Sequence, residues 1–149
     1  MNRILTLLSI TFFALGTTAQ TLTQQWATSY AATGENSSKF SSVIRDGSGN
    51  LYAGGYTWNA GNGKDFLLAK LNSNGDTLWT RTYDGVGNGN DEINELAFDN
   101  SGNIVAAGYS KTLTGKDFTV YKFNTNGDSL WVANYNYTGS MDDIAVDVI

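Results

Sequence analysis

A short glycine-rich segment carries oxygen-bearing side chains of the kind that bind a hard metal ion. Asp84, Asn88, Asn90 and Asp91 follow one another here, separated mainly by glycines. Carboxylate and amide oxygens are the ligands that Ca²⁺ takes in proteins. Their order partly follows the calcium loop of an EF-hand, but Val86 occupies a ligand position of that loop. The segment therefore predicts a calcium site, with a simple turn as the favoured alternative because glycine and asparagine form turns readily.

A second group of residues offers binding rather than catalysis. Trp58, Asn59 and Asn62 lie in one segment, and Lys111 begins the segment that replaces it later in the chain. An indole ring can stack on a sugar ring while amides bond the sugar hydroxyls, and loops on a rigid scaffold often carry such residues. We therefore predict a ligand-binding loop here. The alternative is that Trp58 only covers its own loop, since isolated exposed apolar residues are common.

Catalytic constellations are scarce in this chain. The sequence contains no histidine and no cysteine, which excludes histidine relays and metal sites built on either residue. Adjacent acids occur as Asp91-Glu92 and Asp142-Asp143. A glycosidase needs two acids about 5–10 Å apart across a substrate, and nothing in the sequence selects such a pair. We predict no catalytic residue, and no cofactor besides the calcium ion considered above.

Composition and the N-terminus indicate export. The net charge is −5, without a basic run, which disfavours nucleic acid and anionic membranes as partners. Residues 1–19 carry a basic residue, Arg3, near the start, continue with an apolar stretch and end in small residues. This order predicts a signal peptide, and its apolar stretch is shorter than the roughly 20 residues of a membrane span. The mature protein is therefore predicted to be secreted or held at the cell surface, with no membrane span after cleavage.

The chain repeats itself, and the repeat sets the architecture. Trp26, Trp79 and Trp131 are separated by 53 and 52 positions, and a tyrosine follows each of them four residues later. A period of about 52 residues is typical of propellers and other repeat arrays. Acids that recur in every repeat are expected to cap turns rather than to do chemistry. These acids form the pairs Asp46/Asp99, Asp65/Asp117 and Asp76/Asp128.

Short alternating segments between turn signals predict an all-β fold. Asn-Gly and Ser-Gly-Asn turns separate them, where glycine supplies the left-handed residue. The predicted strands are Gln24–Tyr30, Phe40–Arg45, Leu51–Thr57, Phe66–Leu71, Thr77–Tyr83, Ile93–Phe98, Ile104–Ser110, Phe118–Phe123, Ser129–Tyr135 and Ile144–Ile149.

Grouped by the repeat, these strands form four-stranded antiparallel blades of a β-propeller. Residues 20–149 would comprise an orphan outer strand at 24–30, blades at 40–83 and 93–135, and the start of a further blade at 144–149. A closed ring needs about four to eight blades. The expected product is therefore an incomplete ring, as in a fragment of a longer chain.

The repeat motifs resemble a known family. The combination D-x-S-G-N, G-Y-[TS], K-D-F and N-x-N-G-D-x-L-W, found from Val43 to Trp79 and again from Leu96 to Trp131, is similar to the seven-bladed β-propeller (SBBP-type) repeats of exported bacterial proteins. The resemblance implies a propeller and a secreted or surface location, as in Bacteroidetes-like proteins. It implies no shared activity.

These observations favour a non-enzymatic binding or scaffold module of a secreted or surface protein. Two alternatives are open: a propeller-borne carbohydrate-active enzyme with its catalytic residues outside this chain, and a small lectin that oligomerises to complete its ring. The expected partners are a carbohydrate or a surface protein, further blades of the same chain, or a second copy. Unpaired strand edges predict self-association.

Overall fold

A computed structural model describes residues 37–59, 61, 63–137 and 141–149. The predicted signal peptide, the predicted strand at 24–30 and Asn62 lie outside the described residues. Within the described ranges the chain forms eight β-strands and no helix, so no helix there could span a membrane. The strands are β1 (Lys39–Arg45), β2 (Leu51–Asn59), β3 (Gly63–Leu71), β4 (Thr77–Tyr83), β5 (Asp91–Phe98), β6 (Ile104–Lys111), β7 (Lys116–Phe123) and β8 (Ser129–Tyr135).

The strands form two separate four-stranded sheets of identical topology. Their orders are β1-β2-β3-β4 and β5-β6-β7-β8, and every neighbouring pair is antiparallel. The prediction of an all-β chain is confirmed, and the arrangement fits successive propeller blades. Because each sheet is a simple meander, the turns after its first and third strands lie at one end, and the connection after its second strand lies at the other.

Side-chain hydrogen bonds within the tight turns account for the recurring acids and amides. In the first turn the Asp46 carboxylate accepts hydrogen bonds from the backbone N–H groups of Ser48 (2.9 Å) and Asn50 (2.8 Å). Gly49 in the same turn has a φ of 89°, which is unfavourable for any residue with a Cβ. Asp99, Asn72 and Asn124 make the same bonds in the other turns. The expected capping role is thus visible for Asp46 and Asp99, whereas Asn72 and Asn124 make these bonds in the turns that contain Asp76 and Asp128. Asp65 and Asp117 lie on strands instead.

The two sheets pack face to face through an apolar core. Tyr52, Phe66 and Leu68 of the first sheet cluster with Ile93 and Phe123 of the second, and all five side chains are buried. Strand β5 lies across β1, β2 and β3. Aromatic rings also contact one another between the sheets; the Tyr83 and Phe123 rings, for example, are tilted by 35° with centroids 4.9 Å apart. Burial of this surface holds one sheet on the other.

Among the described residues, the opposite face of the second sheet has no comparable cover. Trp79 and Tyr83 of the first sheet are partly buried against the second sheet, and the Tyr83 hydroxyl donates to the Gly127 carbonyl. Their counterparts one repeat later, Trp131 and Tyr135, are 46% and 56% exposed. The first sheet therefore packs these side chains against its neighbour, whereas the equivalent side chains of the second sheet are exposed to solvent.

The last described segment differs from the predicted strand at 144–149. These residues form no regular strand, although they lie against the second sheet. The Ala145 N–H donates to the Gly108 carbonyl (3.2 Å), and the Asn94 amide donates to the Ala145 carbonyl (2.6 Å). In both sheets the first strand pairs with the strand that follows it. Residues 144–149 form no such ladder with any of the described strands.

Candidate functional site

The predicted ligand-binding residues that the structure describes lie at one end of the sheets, but on paired strand ends rather than in the predicted loop, since only residues 60–62 separate β2 from β3. Trp58 and Asn59 end β2, and Trp58 is 39% exposed. The Asn59 side-chain amide, however, donates to Asp65 Oδ2 at 3.0 Å, so it is directed toward its own sheet. Lys111 ends β6 with an exposed side chain, and its N–H donates to the Asn90 carbonyl. Binding of a ligand by these residues stays a prediction.

The predicted calcium residues occupy the connection between β4 and β5, but the structure separates their roles. Asn90 Oδ1 accepts a hydrogen bond from the Lys64 N–H at 3.0 Å and so ties the connection to β3. Asn88 is exposed and has a φ of 51°, as expected of a turn residue. Asp84 and Asp91 instead lie beside a third acid, Asp65. This third acid was not predicted to belong to the site.

Asp65, Asp84 and Asp91 form the acid cluster of this chain. One carboxylate oxygen from each residue lies within 4.8 Å of one from each of the others. Asp65 is 4% exposed and Asp91 is fully buried, whereas Asp84 is exposed. The cluster is therefore a largely buried set of carboxylates with one member at the surface.

Strand register explains why these acids meet. The last pair of the β3–β4 ladder is Phe66 with Tyr83, so the residues just beyond it, Asp65 and Asp84, are neighbours at the end of the sheet. Asp91 begins β5 of the second sheet, and the Gly85 N–H donates to its Oδ2 at 2.8 Å. The β4–β5 connection thus turns back on itself and brings the first acid of the next sheet to the end of the previous one.

Three buried polar atoms at the cluster lack a hydrogen-bond partner among the described residues. They are Asp65 Oδ1, Asp91 Oδ1 and Ser110 Oγ. Ser110 is fully buried on β6, directly opposite Asp91 in the β5–β6 ladder. A Cβ on Gly85 would collide with Ser110 Oγ and would lie 2.5 Å from Asp91 Oδ1. Both oxygens therefore face the backbone that follows Asp84, and glycine is needed there because it has no side chain.

Burial raises the pKa of Asp91 to about 6, because a charged carboxylate is poorly solvated there. The hydrogen bond from the Gly85 N–H opposes this rise in pKa, as do weaker interactions with the Ser110 hydroxyl and the Lys111 N–H, and the negative charge of Asp84 adds to it. Burial also raises the pKa of Asp65, against the hydrogen bond from the Asn59 amide and with the charge of Asp84. Neither Asp65 nor Asp91 forms a salt bridge within the described part of the chain.

The corresponding place in the first sheet is neutral. There Ser38 and Thr57 occupy the positions of Asp91 and Ser110, and their hydroxyls are 2.8 Å apart in a hydrogen bond. Both hydroxyls are satisfied without any charge. The first two strands of a sheet can therefore pair without a buried acid such as Asp91 or an unpaired hydroxyl such as that of Ser110.

The junction after the second sheet keeps part of the same pattern. The Tyr137 N–H donates to Asp143 Oδ2 at 2.9 Å, as Gly85 does to Asp91 one repeat earlier. Asp117 corresponds to Asp65, but Asn136 stands where the first junction has Asp84. Across the described residues, only the first junction brings three carboxylates together.

The cluster can hold a proton or a hard cation. Carboxylates that share a site resist full ionisation, and either a shared proton or a bound metal ion relieves their repulsion. Glycoside hydrolysis is a poor fit, because its two acids flank an accessible substrate, whereas Asp65 and Asp91 are buried side by side. Sequence reasoning missed Asp65 because it recurs in each repeat, and it missed Ser110 because no local motif marks it. The predicted pairing of β3 with β4 was the sequence signal that could have placed Asp65 beside Asp84.

No protein-family model matches the chain, and no similar sequence was found among curated proteins. The resemblance to SBBP-type repeats thus stands on the chain's own motifs. Function must be argued from the two sheets and the groups at their ends.

Proposed function

We propose that the chain is part of an exported β-propeller that acts as a non-enzymatic binding or scaffold module, secreted or at the cell surface. One observation carries this proposal: two sheets of identical strand order follow one another at the period of the repeat and stack face to face. This is how successive propeller blades are arranged. The SBBP-like motifs and the signal-like N-terminus support the family and the location.

The exposed face of the second sheet supports further blades. Its Phe118, Val120, Trp131 and Tyr135 are only partly buried or exposed, and they repeat the residues that the first sheet packs against its neighbour. An exposed apolar face of this kind favours packing of another sheet. Further blades of the same chain would cover it. A second copy of the chain would do so in the alternative reading, a small oligomerising lectin.

The binding surface is proposed at the end that carries the connections after β2 and β6. Loops vary on a rigid scaffold, and the connection after Asn59 differs in composition from the connection after Lys111. Trp58 is the exposed indole at this end, and a carbohydrate or a surface protein is the proposed partner. The buried acids beside it do not form a catalytic pair, which favours binding over hydrolysis.

A glycan array tests this proposal, using the fluorescently labelled chain and its Trp58→Ala variant. We expect the wild type to bind a defined set of glycans and the variant to bind them at least tenfold more weakly, since aromatic anchors dominate such contacts. Leu113→Ala changes an exposed residue of the corresponding connection in the next repeat and is the matched control. Absence of glycan binding, or equal binding by both variants, would refute carbohydrate recognition at Trp58.

Light scattering tests self-association. Unpaired apolar sheet faces and strand edges predict an oligomer or aggregate rather than a single chain. A stable, monodisperse monomer would contradict that expectation and would argue against the oligomerising lectin.

A further inference from the structure

We propose that Asp65, Asp84 and Asp91, together with the hydroxyl of Ser110, bind one Ca²⁺ ion at the junction between the two sheets. The site differs from the loop predicted from the sequence, because two of its ligands lie on strands far from that loop. It would add a metal-dependent link to the apolar packing between the sheets.

The spacing of the carboxylates fits this ion. Two oxygens bound to one Ca²⁺ at about 2.3–2.6 Å lie no more than about 4.6–5.2 Å apart. The three carboxylates each offer an oxygen within 4.8 Å of the others. Little movement is therefore needed for all three to contact one ion, and water can supply the remaining ligands that Ca²⁺ takes.

The hydroxyl of Ser110 points to a ligand independently of the acids. Ser110 is fully buried, and its Oγ has no hydrogen-bond partner among the described residues. Buried hydroxyls are nearly always hydrogen-bonded, so an orphaned one indicates a group that the protein chain does not supply. It lies beside Asp91 Oδ1, which is equally unsatisfied. The Ser110 hydroxyl can turn its proton toward Asp91, but its lone pairs and Asp65 Oδ1 then still lack a partner among the described residues, and a cation could bind these oxygens.

The nearby lysines do not supply this cation. Lys64 Nζ lies 3.7 Å from Glu92 Oε2 and 3.8 Å from the centre of the Tyr56 ring. Lys39 pairs with Glu92 as well, at 3.4 Å. Lys39 and Lys64 thus pair with Glu92, while Asp65 and Asp91 form no salt bridge within the described ranges.

The location of the acids suits entry and exchange of an ion. Asp84 is exposed, so a hydrated ion can reach it first and then lose water to the buried oxygens. The ligands come from β3, from the β4–β5 connection, and from β5 and β6. One ion would therefore join the end of the first sheet to the beginning of the second.

Calorimetric titration of the chain with CaCl₂ after removal of metals by a chelator tests the proposal. We expect one Ca²⁺ per chain, with affinity in the range of about 10⁻⁴–10⁻³ M that extracellular modules show. Asp84→Asn, which copies the residue of the next repeat, should weaken binding at least tenfold. Because Asp84 is exposed, this variant should fold. Asp117→Asn makes the same change at the position that corresponds to Asp65 in the next repeat, and it should leave binding unchanged.

Thermal unfolding gives a second readout on the same variants. Added CaCl₂ should raise the melting temperature of the wild type and of Asp117→Asn, but not that of Asp84→Asn, since a ligand of the folded state stabilises it by mass action. No binding and no shift in the wild type at about ten times the expected dissociation constant would overturn the proposal. So would equal binding by Asp84→Asn, or a response to Mg²⁺ with none to Ca²⁺.

Discussion

Asp91 is a buried carboxylate without a salt bridge among the described residues, so its removal should stabilise the metal-free protein. Burial raises its pKa from 3.8 to about 6, a difference of about 2 pH units. Each unit corresponds to about 1.4 kcal/mol, so ionised Asp91 lowers the free energy of unfolding by at most about 3 kcal/mol at neutral pH. Asp91→Asn has the same shape, and its amide oxygen can still accept the N–H of Gly85. We expect it to raise the free energy of unfolding by about 1–3 kcal/mol at pH 7.5.

The direction of the pKa shift determines how the free energy of unfolding changes with pH. A raised pKa means that the folded protein holds this proton more tightly than the unfolded chain does. The stabilisation by protonated Asp91 is therefore complete below about pH 4 and is lost as the pH rises through about 6. The pKa of Asp65 is raised as well, so this acid adds to the loss of stability with rising pH. The charge of Asp84 contributes to the raised pKa of both acids. Burial raises the pKa of Tyr109 to about 12 and also raises that of Tyr121, so these phenols stay neutral over this range.

Urea unfolding followed by tryptophan fluorescence, with chelator present, measures this effect at pH 7.5 and pH 4. The advantage of Asp91→Asn should shrink between these two values, since Asp91 is already protonated in the folded wild type at pH 4. Asp117→Asn is the control and should change the free energy of unfolding by no more than about 0.5 kcal/mol. A variant that is no more stable than the wild type at pH 7.5 would refute the argument, because it would show that the ionised carboxylate is not penalised by burial.

Two further predictions concern the packing of the sheets. Gly55→Ala should destabilise the fold by about 1–3 kcal/mol, because its Cβ would meet a backbone carbonyl of β1, which cannot yield easily. Gly47→Ala, whose Cβ would have open space, is its control in thermal unfolding, and equal stability of the two would contradict the close approach. Phe123→Ala should lower the free energy of unfolding by about 3–5 kcal/mol, since the ring is fully buried between the sheets. Leu113→Ala, at a fully exposed site, should have little effect in the same urea titration, and a similar loss for both would place Phe123 outside the core.

The local features of this fold were readable from the sequence. Every predicted strand from Phe40 to Tyr135 is present, and the starts and ends agree to within a few residues. Alternating apolar residues define strands, and Asn-Gly or Asp-x-Ser-Gly-Asn segments define turns through bonds to neighbours such as Ser48 and Asn50. Such interactions span only a few residues, so the sequence contains them directly. The repeat then predicted the grouping of strands into sheets.

The acid cluster was decided by the tertiary structure. Sequence reasoning grouped Asp84 and Asp91 with their loop neighbours Asn88 and Asn90, because proximity along the chain was the only distance it could measure. In the structure, Asn90 accepts a hydrogen bond from Lys64 and does not belong to the acid cluster. Asp65 belongs to it instead, and it lies beside Asp84 only because β3 and β4 pair in one register. The same limit applies to residues 144–149, whose pattern predicts a strand but which form no ladder with the described strands.

What the sequence by itself determined is therefore the local conformation and its period: strands, turns and the repeat. What only the tertiary structure decided is which groups from different strands share a buried space, such as Ser110 beside Asp91. The physical reason is that turn and strand preferences act between near neighbours, whereas desolvation and unmet hydrogen bonds depend on every chain segment that surrounds a group.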